Sequence, residues 1–170
     1  NTGGCGSCSG TTWPVDRWEL TRLLGFDDLV QPTYDCEAAQ DHTLSVLFAL
    51  SNLSVLLSQV ATNMSIWGMD EISYYRTEPS WCGCSSFMPQ KCDNGSNYER
   101  VRIKASDMIG TMMTAVTLLK GECHSDVLPM LHASRYAIEG MIQARTAMRF
   151  MYNMLQHAHF DKERMLKTAR

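Results

Sequence analysis

Leu44-Ser45-Val46-Leu47-Phe48-Ala49-Leu50-Ser51-Asn52-Leu53-Ser54-Val55-Leu56-Leu57-Ser58-Gln59-Val60-Ala61-Thr62-Asn63-Met64 is the stretch from which the fold follows. Leu44, Leu47, Phe48, Leu53, Leu56, Leu57, Val60, Ala61 and Met64 recur at steps of three and four, and no Pro or Gly interrupts the run from Ala38 to Trp67. That spacing gathers the apolar side chains on one face of an α-helix. Some 30 residues rising 1.5 Å each make a rod of about 45 Å. A rod of that length cannot bury its stripe in one compact layer, so it needs partner helices, and the stripe reads as bundle core. Asp35 is placed as its N-cap after a turn at Pro32, and His42 reads as a partner for a nearby backbone or carboxylate group.

Working outward, Gly68 to Gly83 reads as an irregular connection. Ser96-x-x-Glu99 has the form of a capping box. It opens a second long helix whose core face is Val101, Ile103, Met108, Ile109, Met112, Met113, Val116 and Leu119, ending at Lys120-Gly121. A third runs from about Met130 to Gln156 with Leu131, Ile138, Met141, Ile142, Met148, Met151 and Leu155 inward. Asp161 then caps a short last helix, Lys162 to Ala169. At the other end, Asn1 to Gly10 is a Gly/Ser/Cys-rich loop. Pro14 suits the first turn of a short helix with Leu20, Leu23 and Leu24 on its apolar face and Gly25 at a left-handed C-terminal position. The fold class is therefore all-α, a long-helix bundle, with 12 methionines as adaptable core filler.

At 170 residues and 45% hydrophobic content the chain can bury a core of its own. A net charge of -3 offers no basic patch, so nucleic acid is not expected as a partner. No apolar run approaches the roughly 18 to 20 residues of a membrane span, and the N-terminus lacks a signal pattern, so no membrane partner and a cytoplasmic location are expected. A first residue of Asn1 rather than Met reads as a piece of a longer protein. Seven cysteines, an odd count, read as reduced thiols. Cys5-x-x-Cys8 and Cys82-x-Cys84 could supply four thiolates to zinc, but no Cys/His pair recurs at zinc-finger spacing. No metal or other cofactor is expected.

Between the first two long helices stands the chemically loaded run Cys84-Ser85-Ser86-Phe87-Met88-Pro89-Gln90-Lys91-Cys92-Asp93-Asn94, followed by Gly95-Ser96-Asn97-Tyr98-Glu99-Arg100-Val101-Arg102. It resembles the signature loop of the fumarase/aspartase superfamily, and most of all the argininosuccinate lyase form, Gly-Ser-Ser-x-Met-Pro-Gln-Lys-x-Asn. Ser-Ser-x-Met-Pro-Gln-Lys is intact. The leading Gly is Cys84, and the Asn arrives one residue late, at Asn94 rather than Asp93, after which Glu99 and Arg102 fall back into register. Gly6-Ser7-Cys8-Ser9-Gly10-Thr11-Thr12 with Pro14-Val15-Asp16-Arg17 looks like a second family segment, Gly-Ser-Gly-Ala-x-Ala-Gly-Thr-x-x-x-x-Asp-Arg, at the expected distance. Asp35 and Asp41 match family positions, whereas Gln40 stands where argininosuccinate lyases carry Arg.

The resemblance implies a homotetrameric lyase that releases fumarate from an N-substituted aspartate by β-elimination. Ser85 would be the general base, with Ser86, Lys91 and Asn94 binding the dicarboxylate substrate and Glu99 orienting the catalytic histidine of a neighbouring subunit. A serine can take a proton from carbon only if amides and a cation lower its pKa, and the developing dianion needs fixed donors and positive charge. Glu99 reads equally as no more than the cap of its helix. The loop would be a mobile one that closes over substrate, with Gly83 and Gly95 at its ends. The general acid is implied to lie ahead of Asn1, in a missing N-terminal portion of the same protein, so this piece alone is expected to be inactive.

Residues 1–160 would be a partial central helical domain and 161–170 the start of a small C-terminal one. After Thr117-Leu118-Leu119-Lys120-Gly121 the likeness lapses. Where the family's substrate-binding Tyr, Gln and Lys are expected, this chain has Ser125, Met130 and Ala133, with His124, His132 and Arg135 as the nearby groups able to meet an anion. A different substrate, adenylosuccinate-like for instance, and a non-catalytic crystallin-like relative therefore stand as alternatives.

Overall fold

A computed structural model describes residues 3–82, 96–121, 123 and 128–170. Three long helices dominate: α3 (Asp41–Trp67), α4 (Ser96–Leu119) and α5 (Leu128–Gln156). Short α1 (Arg17–Leu23) and α2 (Thr33–Ala38) precede them, and α6 (Lys162–Ala169) follows. Two three-residue strands, β1 (Tyr75–Thr77) and β2 (Ala158–Phe160), pair antiparallel, Tyr75 opposite Phe160 and Thr77 opposite Ala158. The all-α expectation holds, with this small ribbon added where an irregular connection was expected.

Local chemistry sets the boundaries. Asp16, not Pro14, opens α1: its Oδ1 accepts from the Trp18 and Glu19 amides at 2.9 and 3.1 Å. The helix closes with the Phe26 amide on the Thr21 carbonyl and the Gly25 amide on Arg22, a Schellman pair made possible by a φ of +77° at Gly25. Leu23 and Leu24 are exposed, and Thr21 is the α1 residue that is buried. The single helix expected from Asp35 onward is two, because Ala39 turns extended at ψ 114°. Asp35 lies within α2, and Gln40 enters α3 by accepting the Thr43 hydroxyl at 3.0 Å. Asp161 caps α6 as expected, accepting the Arg164 amide at 2.9 Å.

The chain forms two compact units. The first comprises Asn1–Val46 and Met112–Ile138. Here the Arg17 guanidinium fastens the N-terminal loop and the α1–α2 connection, donating to the carbonyls of Gly3 (3.3 Å), Val30 (2.9 Å) and Gln31 (3.3 Å). Thr33 Oγ1 donates to the Cys8 carbonyl at 2.8 Å, and the thiol of Cys5 lies buried against α2. Burial first, and then the neighbouring Cys5 thiol, push the Cys36 thiol above its ordinary pKa, with Arg17 opposing.

The second unit comprises Leu47–Thr111 and Glu139–Arg170. Its core joins Ala61 and Met64 of α3, Tyr98 and Val101 of α4, Ala147, Met151 and Met154 of α5, and Tyr75 of β1. Gly140 allows the closest approach: a Cβ there would stand 2.7 Å from Leu47 Cδ2 and 2.9 Å from Met108 Cε.

Which faces turn inward differs from the expectation. On α5 the buried residues are Met130, Ala133, Gly140, Ala144, Ala147, Met151 and Met154, while Leu131, Ile138, Met141, Ile142, Met148 and Leu155 are exposed. On α4 Ala105 and Ala115 are buried beside Val101 and Met108, while Ile103, Ile109 and Met113 are not. The buried positions follow three- and four-residue steps of small residues and methionine, the spacing of a close helix seam. The bulkier stripe is left on the outside of this chain.

That exposure also revises the membrane expectation. The stretch Thr33–Trp67 contains an 18-residue window of mean hydropathy 1.8, long and apolar enough by length and composition to cross a membrane, with 22% of the window buried. A core helix of a soluble bundle meets the same two criteria.

Candidate functional site

The first turn of α4 carries the one expected site residue that is described, Glu99. It is exposed and lines a recess of about 470 Å³ together with Arg102, Ile103 and Ser106 of α4 and Ser58 of α3. Glu99 and Arg102, one helical turn apart, put a carboxylate and a guanidinium on the same face. That arrangement can orient a cationic or hydrogen-bonding group and meet an anion side by side. Ser85, Ser86, Lys91 and Asn94 lie outside the described residues, as do His124 and Ser125. The capping box expected of Ser96 and Glu99 involves a Ser96 side chain that is also outside them.

Three contacts fix the turn beneath Glu99. Asn97 Nδ2 donates to the Trp81 carbonyl at 2.9 Å. Tyr98 is fully buried with its ring edge-on to Tyr75, centroids 6.1 Å apart at 85°. Burial, and secondarily Tyr75, push the Tyr98 phenol well above its ordinary pKa, so it stays neutral. Trp81 itself stacks on the His157 ring at 4.6 Å and 17°.

His157 belongs to a carboxylate-centred cluster. Its Nδ1 lies 2.9 Å from Glu78 Oε2, and His159 Nε2 lies 3.4 Å from the other oxygen. The Glu78 amide donates to the His157 carbonyl at 3.0 Å. Hydrogen bonding to His157 holds the Glu78 carboxyl below the usual carboxylate range, against a smaller opposing effect of desolvation. Sequence reading had no signal for this pair, because 79 residues separate its members and only the β1–β2 ribbon brings them together. Among the described residues no group of three or more His, Cys, Asp or Glu side chains could hold a metal ion.

No family model matches the chain. The argininosuccinate lyase 1 of Shouchella clausii is 31% identical over 173 residues, covering 100% of this chain and 34% of that protein. The argininosuccinate lyase of Methanothrix thermoacetophila is 29% identical over 166 residues, covering 98% of this chain and 34% of its own length. Among solved structures, a variant of EDDS lyase with bound fumarate superposes with a TM-score of 0.78 at 30% identity, over 95% of this chain and 32% of that one. The chain belongs to the fumarase/aspartase superfamily. It spans about a third of the length of the curated relatives that it matches.

Met130 and Ala133, in register with the Gln and Lys expected to bind substrate, are buried on α5. They serve packing rather than a ligand. His132 of α5 is exposed beside them. Arg17, in register with the superfamily segment's Asp-Arg, spends its guanidinium on three backbone carbonyls.

Proposed function

We propose that the protein containing this chain is a carbon–nitrogen lyase of the argininosuccinate lyase type, releasing fumarate by β-elimination from an N-substituted aspartate. The observation that carries this reading is the unbroken Ser85-Ser86-x-Met88-Pro89-Gln90-Lys91 run, within a chain about 30% identical to proteins named argininosuccinate lyase over nearly its whole length. Ser85 takes the proton from the carbon beside a carboxylate, the electron pair forms the new C=C bond, and the C–N bond breaks. Lys91 and Asn94 hold the carboxylate that takes up negative charge, and Ser86 adds a donor. The leaving nitrogen receives its proton from a histidine outside this chain, which Glu99 of a neighbouring subunit orients. The reaction moves a proton and an electron pair within one substrate, so it requires no redox cofactor.

A homotetramer supplies the neighbouring subunit, and the apolar stripes left exposed on α3, α4 and α5 support assembly with further helices. Residues 161–170 begin a C-terminal helical domain, and the location is cytoplasmic. The replacement of the family's Gln and Lys by buried Met130 and Ala133 favours an amine portion different from that of argininosuccinate.

The test is release of fumarate, followed by absorbance, by the complete protein across a panel of N-substituted aspartates. One of them should be turned over, and Ser85→Ala should lower kcat by about 10²- to 10⁴-fold. No release from any of the panel would leave the crystallin-like alternative.

A further inference from the structure

We propose that Glu78 and His157 are positioning residues for Glu99, acting through Trp81 and Asn97 on the first turn of α4. This rests on the reading of Glu99 as the group that orients a histidine. The links are short and directional. Glu78 grips His157 twice, side chain to side chain at 2.9 Å and amide to carbonyl at 3.0 Å, so both the ring and its backbone are set. The set ring is the platform on which Trp81 stacks at 4.6 Å. The carbonyl of Trp81 accepts from the Asn97 side-chain Nδ2 at 2.9 Å, two residues before Glu99. Between them Tyr98 is locked against Tyr75.

Stability alone is a weak account of the cluster. The Glu78 side chain is 42% exposed and that of His157 31%, and ion pairs at such exposure contribute little. A carboxylate held by two histidines at the surface is better explained by what its geometry fixes. A reactive array must be held to within about 0.5 Å, and a displacement of about 1 Å can cost 10²-fold in rate. Glu99 is exposed on a helix end, so its precision comes from the turn that carries it, which the brace holds.

The experiment uses the complete protein and the variants Glu78→Gln, Asn97→Leu and Glu99→Gln, alone and with the first two each combined with the third. Each of the first two should lower kcat about 10- to 100-fold with KM unchanged, and neither should lower it further once Glu99→Gln is present. Effects that multiply in the double variants, or a fall in melting temperature with kcat unchanged, would overturn the proposal. Glu99→Gln at full kcat would instead remove the reading of Glu99 itself, a separately visible result. Hydrogen exchange gives an answer independent of turnover: the amides of residues 99–102 should exchange at least about tenfold faster in Glu78→Gln, while mid-helix amides of α5 stay as they were. Equal exchange in the two proteins would sink the brace.

Discussion

A single guanidinium closes the N-terminal loop of this chain. Arg17 reaches one carbonyl in the N-terminal loop and two in the α1–α2 connection, a task for a planar fork of donors that a lysine ammonium cannot reproduce. Arg17→Lys should cost about 2 kcal/mol, read as a lowered melting temperature and earlier proteolysis of residues 3–12. Ser54 makes the opposite case: it is fully buried on α3 and its hydroxyl finds no hydrogen-bond partner among the described residues. Ser54→Ala should raise stability by up to about 1 kcal/mol in thermal melting. Glu78 sets a pH dependence. Its folded pKa is lowered, so its contribution is present above the ordinary carboxylate value and is lost as pH falls through the folded one. Glu78→Gln should therefore flatten the acid limb of a plot of melting temperature against pH, below about pH 4.5. At this scale the capping role of Asp161 and the left-handed Gly25 were legible in the sequence, since each depends on residues a few positions away. The Glu78–His157 pair depends on 79, and stayed hidden.

At the scale of elements, three long helices were legible because apolar residues recur at helical spacing over many turns. The faces were not. Each long helix carries two apolar stripes, and periodicity cannot rank them. On α5 the seam inside this chain took the one built of Ala, Gly and Met, where backbones approach closely enough for Gly140 to touch Leu47 and Met108. Gly140→Ala should cost about 1 to 3 kcal/mol in thermal unfolding, because the new methyl must displace both side chains. An unchanged melting temperature would show that they yield freely. The β1–β2 ribbon escaped the sequence for a related reason. Three-residue strands are too short for alternation to register, and only pairing across the fold defines them.

For the whole molecule, the bulky stripe outside the seam is the leading fact. Val46, Phe48, Val55 and Leu56 on α3 and Leu131, Ile138 and Ile142 on α5 are exposed in the isolated chain. Water is a poor neighbour for that much hydrocarbon. The complete protein should run as an oligomer, four copies under the reading proposed above, by light scattering at micromolar concentration. A monomer at that concentration would overturn the tetramer and leave the stripe to be covered within one copy of the complete protein.

The sequence by itself determined the helices and the superfamily, because both are written in local signals: periodicity, caps and one seven-residue run of Ser, Met, Pro, Gln and Lys. Tertiary structure alone decided which stripe each helix buries and that Glu78 meets His157. Those outcomes depend on which surfaces meet, and a free energy shared between distant partners leaves no mark on either partner's neighbours in the chain.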